Sequence, residues 1–114
     1  MKDGTHINGI GSQSPKAREL DTAIVKRSMV IADSREACLK EAGDIMIPIE
    51  SRSIKAAHIH ADLAEIVTHK VSGRTTGEQI TLFKSNGLAI QDAATAKLVY
   101  DKAIDAGIGG NAEV

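Results

Sequence analysis

Aromatic side chains are nearly absent from this chain: Phe83 and Tyr100 are the only two, and there is no Trp. A core without aromatics has to be assembled from Ile, Val, Leu, Ala and Met. Cysteine is limited to Cys38, which excludes an internal disulfide and any multi-cysteine metal cluster and suits a reducing compartment. Neither sign of charge dominates. Fourteen basic residues against fifteen acidic ones leave a net charge of −1, so no electrostatic footprint points to nucleic acid or an anionic membrane. No apolar run approaches the roughly 20 residues that span a bilayer. Nor does an apolar segment follow Met1-Lys2-Asp3-Gly4, so no signal peptide is expected and the expected compartment is the cytoplasm. What remains is ordinary globular composition: 114 residues, 42% hydrophobic and 25% charged, enough for one domain with one core.

Hydrophobic patterning divides the chain into alternating strands and helices. Residues 5–10 hold two Ile before a glycine-flanked turn and read as a strand. Residues 19–28 place Leu20, Ile24 and Val25 on one helical face, with Lys26 and Arg27 in the last turn. Met29 to Ala32 is an apolar run of a buried strand, and Asp33 with Glu36 resembles a capping box. The helix it opens is expected to stop near Gly43, and Pro48 to block any continuation. A short helix is expected over residues 61–68, then a polar loop. Residues 79–85 alternate as a third strand with Ile80, Leu82 and Lys84 on one side. Asn86-Gly87 turns into a last helix over about 88–106, whose Ala89, Ala93, Ala96 and Ala103 allow close approach of a neighbour. This is the βαβ pattern of a parallel sheet with flanking helices. Three strands make a thin parallel sheet with faces to cover, so the chain reads as part of a larger sheet.

Two turns could carry chemistry, both at carboxyl ends of predicted strands, where ligands bind in α/β sheets. Gly9-Ile10-Gly11-Ser12-Gln13-Ser14 lacks the third glycine of a dinucleotide fingerprint and runs into Pro15. It reads either as a plain glycine turn or as a backbone that a flat ligand can approach closely. Phe83-Lys84-Ser85-Asn86-Gly87 reads either as a strand-to-helix turn with Ser85 or Asn86 as helix cap, or as a site where Ser85 donates to a ligand. His58 and His60 have a spacing that puts both on one face of a strand, but no further ligands of metal-site spacing accompany them, so no metal is expected. His6 reads as a hydrogen-bonded structural histidine, Cys38 as a small buried hydrophobe. Glu19 and Asp21, beside Lys16 and Arg18, read as a solvated charge cluster.

Taken together, Gly4-Thr5-His6-Ile7-Asn8-Gly9-Ile10-Gly11, Arg18-Glu19-Leu20-Asp21, Asp33-Ser34-Arg35-Glu36-Ala37, Glu41-Ala42-Gly43-Asp44-Ile45 and Ile80-Thr81-Leu82-Phe83-Lys84-Ser85 resemble the ornithine cyclodeaminase and mu-crystallin family. The blocks recur in order from Gly4 to about Ala106, and they resemble only its carboxyl-terminal part. The resemblance implies the distal half of an NAD(P)-binding Rossmann domain over residues 1–114, without the glycine fingerprint, the residue that selects NAD or NADP, or the substrate-binding Arg and Lys. By the same resemblance, Ile10, Gly11, Ser12 and Ser85 are cofactor-binding and Asn86 faces substrate. Gln13 stands at the position of the catalytic aspartate of ornithine cyclodeaminases; mu-crystallin-like members also lack that aspartate, and Gln13 cannot act as a general base. The family's Pro-Gly-Lys is Pro15-Lys16-Ala17 here. The implied chemistry is hydride transfer at an amino-acid or cyclic imine carbon, as in ornithine cyclodeaminase, alanine dehydrogenase or ketimine reductase. Implied partners are a small amino-acid or imine substrate and either a second copy or an amino-terminal half. The alternative is a non-catalytic remnant or an assembly module of the same family.

Overall fold

The structure is a computed structural model and describes residues 1–12, 14–110 and 112; the reading of Gln13 lies outside the described residues. Strand β1 (His6–Gly9) is followed by α1 (Thr22–Arg27), β2 (Met29–Ala32), α2 (Arg35–Glu41) and α3 (Gly43–Glu50). A 3-10 turn at Ala56–His58 leads to β3 (Ile59–Asp62), α4 (Leu63–Val67), β4 (Thr81–Lys84) and the long α5 (Ala89–Asp105). The sheet has four strands in the order β1-β4-β2-β3, and every pairing is parallel. In register, Lys84 lies opposite both Gly9 and Ala32, so three strands end level at one edge.

Local sequence explains most of these elements. Asp21 caps α1 by accepting from the Ile24 amide at 2.7 Å, and Lys26 and Arg27 occupy its last turn. Ser34, not Asp33, caps α2, accepting from the Ala37 amide at 3.3 Å, because the Asp33 carboxylate is engaged elsewhere. The capping box belongs to α4 instead, where Asp62 and Glu65 reciprocate.

Two elements correct the expectation of three strands and no helix at Pro48. The fourth strand, β3, has only Ile59 and Ala61 as its inward row; four residues with two histidine-flanked apolar positions give too short an alternation to register. The chain also restarts as α3 after a break at Ala42, and Pro48 lies inside it. As the sixth residue, Pro48 forfeits only the bond its amide would have made to the Asp44 carbonyl, and its ring is fully buried.

The core lies on one face of the sheet, where Val30, Ala32, Ile59 and Leu82 meet Val25 of α1, Cys38 of α2 and Ile45 of α3. The other face is covered only in part. Leu63 and Ile66 of α4 overhang a groove of about 400 Å³ floored by Met29, Ile31 and Phe83. No residue of α5 is buried. Among the described residues no helix is long and apolar enough to cross a membrane.

Candidate functional site

The site is the sheet edge where β1, β4 and β2 end. At the end of β1, Gly9 accepts at its carbonyl from the Ser85 amide at 3.0 Å, which ties the first turn to the second. Ile10 then turns outward, 65% exposed. Both backbone groups of Gly11 are held: its amide donates to Glu19 Oε2 at 2.7 Å, and its carbonyl accepts from Lys84 Nζ at 2.6 Å. A Cβ at Gly11 would run into the Glu19 carboxylate at 2.2 Å, so a larger residue there would push the Glu19 side chain aside and break its bond to the Gly11 amide. Ser12 follows in the left-handed region, φ 52°, and its hydroxyl donates to the Ala17 carbonyl.

Lys84 is wholly buried, an unusual setting for a lysine. Asp44, also wholly buried, sits 3.2 Å from its ammonium through Oδ2, while Oδ1 accepts from the amides of Glu19 and Leu20 at 2.8 Å each. The result is a closed circuit from the Gly11 carbonyl to Lys84, Asp44, Glu19 and back to the Gly11 amide. Glu19 and Asp21 are both exposed, as the reading of a solvated charge cluster expects, and each has a further role: Glu19 in the loop's framework and Asp21 as a helix cap.

A second carboxylate organises the other turn. Asp33 Oδ2 accepts from the Ser85 hydroxyl at 2.7 Å and from the amides of Asn86 and Gly87 at 2.8 and 3.0 Å; Oδ1 accepts from the Ser34 amide at 2.7 Å. Because the Ser85 hydrogen is committed to Asp33, Ser85 can only accept from a ligand, the reverse of the expected donation. Asn86 is buried and its Nδ2 has no partner among the described residues. Beneath this turn Cys38 is buried, its Sγ 3.9 Å from Asp33 Oδ1 and 3.8 Å from Asn86 Oδ1. Burial first, and then the negative charge of Asp33, push its thiol up to about 12.

The remaining histidines do not converge. His58 lies in the 3-10 turn, not on the strand, and bonds the Val25 carbonyl at 2.8 Å; His60 of β3 bonds the Ser72 carbonyl at 2.9 Å. His6 pairs through Nδ1 with Thr81 Oγ1 at 2.7 Å. No group of three metal-ligating side chains occurs among the described residues. Sequence reasoning missed Lys84, Asp44 and Asp33 as site builders. The one available signal was Lys84 in the inward row with Ile80 and Leu82, a charge where only a satisfied one can sit.

At this edge stand an exposed apolar side chain (Ile10), a hydroxyl whose hydrogen is committed to Asp33 (Ser85) and a buried amide nitrogen without a partner among the described residues (Asn86 Nδ2). Comparison with known proteins gives the family. The profile of the Ornithine cyclodeaminase/mu-crystallin family matches residues 1–107. The Delta(1)-pyrroline-2-carboxylate reductase of Bacillus thuringiensis subsp. konkukian is 42% identical over 114 residues, 99% of this chain and 35% of that protein. The ketimine reductase mu-crystallin of Macropus fuliginosus is 45% identical over 101 residues, 89% of this chain and 29% of that protein. Among solved structures, Thermococcus litoralis Delta(1)-pyrroline-2-carboxylate reductase in complex with NADH and L-proline matches at 51% identity and TM-score 0.88, over 98% of this chain and 35% of that one. An archaeal alanine dehydrogenase dimer with bound NAD matches at 35% identity and TM-score 0.82, over 99% of this chain and 35% of that one. The chain thus spans about a third of the length of these relatives. On the family profile and on this agreement of fold and sequence, the chain belongs to the ornithine cyclodeaminase/mu-crystallin family.

Proposed function

We propose that this chain forms the nicotinamide-side wall of an NAD(P)-dependent reductase acting on a small cyclic imine or amino acid. The observation that carries the reading is the pair of carboxylate-organised turns at one sheet edge: Asp44 with Lys84 under Gly11, and Asp33 under Ser85 and Asn86. When bound, the dinucleotide supplies the hydride; the protein contributes orientation and exclusion of water. Ile10 offers apolar surface to the ring, Ser85 accepts a carboxamide N–H, and Asn86 stands on the substrate side of the turn. Gly11 and Ser12 form the backbone of that wall. Imine reduction is preferred over ornithine cyclisation for two reasons. The relatives of 42% and 45% identity carry imine reductase names, and Gln13 stands where cyclisation needs a carboxylate.

The test is a chimera in which this chain replaces the corresponding third of the Bacillus reductase. It should reduce Δ1-pyrroline-2-carboxylate with NADH or NADPH and form no proline from ornithine. A folded chimera that binds neither dinucleotide would sink the reading in favour of a non-catalytic family module. Proline formation from ornithine with Gln13 in place would overturn the preference for imine chemistry, and Gln13→Asp is the variant expected to raise that formation.

A further inference from the structure

We propose that Lys84 is a positioning residue. Its ammonium, held by Asp44, fixes the Gly11 carbonyl and so sets the backbone of the Ile10–Ser12 wall on which, by the reading above, the nicotinamide end of the cofactor rests.

Four observations carry this. Lys84 and Asp44 are both wholly buried, and a buried ion pair stabilises little compared with an apolar pair of the same volume. Fold stability alone therefore gives little reason for the pair. The Lys84 ammonium is directed at the backbone of the turn itself, 2.6 Å from the Gly11 carbonyl, a shorter contact than the 3.2 Å to its own counter-ion. Asp44 reaches the same loop from the other end through the amides of Glu19 and Leu20. Glu19 closes the circuit on the Gly11 amide. Gly11 is held from both sides, and the next residue, Ser12, adopts a positive φ that a serine leaves readily when its neighbours release it. One charged hydrogen bond thus joins the end of β4, which also bears Ser85, to the end of β1, which bears Ile10.

The charge-neutral double variant Lys84→Met/Asp44→Asn tests this, since it avoids an unpaired buried charge and leaves an oxygen to accept from Glu19 and Leu20. In the full chain, amide hydrogen exchange at Gly11 should accelerate by about tenfold or more, as expected for loss of a charge-assisted contact. Exchange at Leu82 and the thermal transition should stay near their original values. Unchanged Gly11 exchange in the folded double variant overturns the proposal. So does a uniform acceleration that includes Leu82, which would mark the pair as general core support. Should the double variant fail to fold, the unmodified chain decides. A slowly exchanging Lys84 ammonium resonance, coupled across the hydrogen bond to the Gly11 carbonyl, is expected, and a fast-exchanging ammonium refutes the clamp. Millimolar NADH added to the unmodified chain should shift the Ile10–Ser12 amide signals, and the double variant should lose that response. NADH without effect on the unmodified chain, alongside the predicted Gly11 exchange, would count against the cofactor reading while leaving the clamp intact.

Discussion

Asp33 carries more of the site than any other single side chain. Its two oxygens accept from five donors: the Ser85 hydroxyl, the Ser34, Asn86 and Gly87 amides and, at 3.9 Å, the Cys38 thiol. Asp33→Ala leaves several buried donors unsatisfied and is expected to cost about 3 kcal/mol or more, read as a shift in the denaturant midpoint at constant slope. Asp33→Asn is milder in volume but presents an N–H₂ to donors; it should free the Ser85 hydroxyl to turn outward, visible as a changed Ser85 hydroxyl resonance. Cys38 supplies a pH dependence with a definite sign. Its thiol is raised from about 9 to about 12 by burial and by Asp33. Below pH 9 it is protonated in folded and unfolded chains alike, so the native thiol environment is fully accommodated. Between pH 9 and pH 12 the unfolded thiol ionises first, and stability is lost as pH rises through that window. A Cys38→Ala variant should show a flatter decline in unfolding free energy there, and the native thiol should resist disulfide reagents at pH 8. Rapid labelling of the folded chain would contradict the burial argument.

At the scale of elements, the start of α3 depends on a glycine. Gly43 donates its amide to the Ser14 carbonyl at 3.1 Å, and a Cβ there would lie 1.9 Å from the Ala17 carbonyl oxygen. Backbone on backbone cannot yield cheaply, so Gly43→Ala should push the 14–17 segment off the helix and loosen the turn above it. The expected loss is about 2 kcal/mol or more, in the range of overpacking, and faster exchange at Glu19 and Leu20 should accompany it. Helix α5 presents the opposite case. It has 17 residues and none buried, so its packing contributes little to the sheet domain. Ala96→Pro should abolish much of its helical circular dichroism, at a local cost of about 3 kcal/mol. The unfolding transition followed at β-sheet amides should not move. A large drop in that transition would mean that α5 is coupled to the core.

The whole molecule has more uncovered surface than a self-sufficient α/β domain. Strand β1 pairs on one side only, with β4. Alpha-helix α5 exposes Ile90, Leu98, Val99, Tyr100 and Ile104, and the groove beside Phe83 stays open on the second sheet face. An unpaired strand edge and an apolar helix face are both templates for association. The isolated chain is expected to self-associate, seen as an apparent mass that rises with concentration in sedimentation and a melting temperature that rises with it. A monodisperse species with a concentration-independent transition at high temperature would contradict this. Apolar strand β2, with Met29-Val30-Ile31-Ala32, is not the vulnerable edge, because it lies between β4 and β3.

Local patterns determined the element types wherever a pattern was long or had clear punctuation. The last helix, expected over 88–106, is Ala89–Asp105, and the apolar run 29–32 is β2 over the same residues; in both, the sequence period and the solvent boundary coincide. The parallel arrangement and the placement of the two candidate turns at one edge were legible for the same reason, since strand–helix alternation leaves few other topologies. What only tertiary structure decided was every role that depends on a distant partner. Asp33 looks like a helix cap until Ser85, Asn86 and Gly87 arrive from β4 with their donors. Ser85 looks like a donor until Asp33 takes its hydrogen. Lys84 and Asp44 are 40 positions apart in a chain whose short-range patterns give no reason to pair them. Charges in a folded interior are placed by who satisfies them, and that is settled by chain closure over long separations rather than by local periodicity.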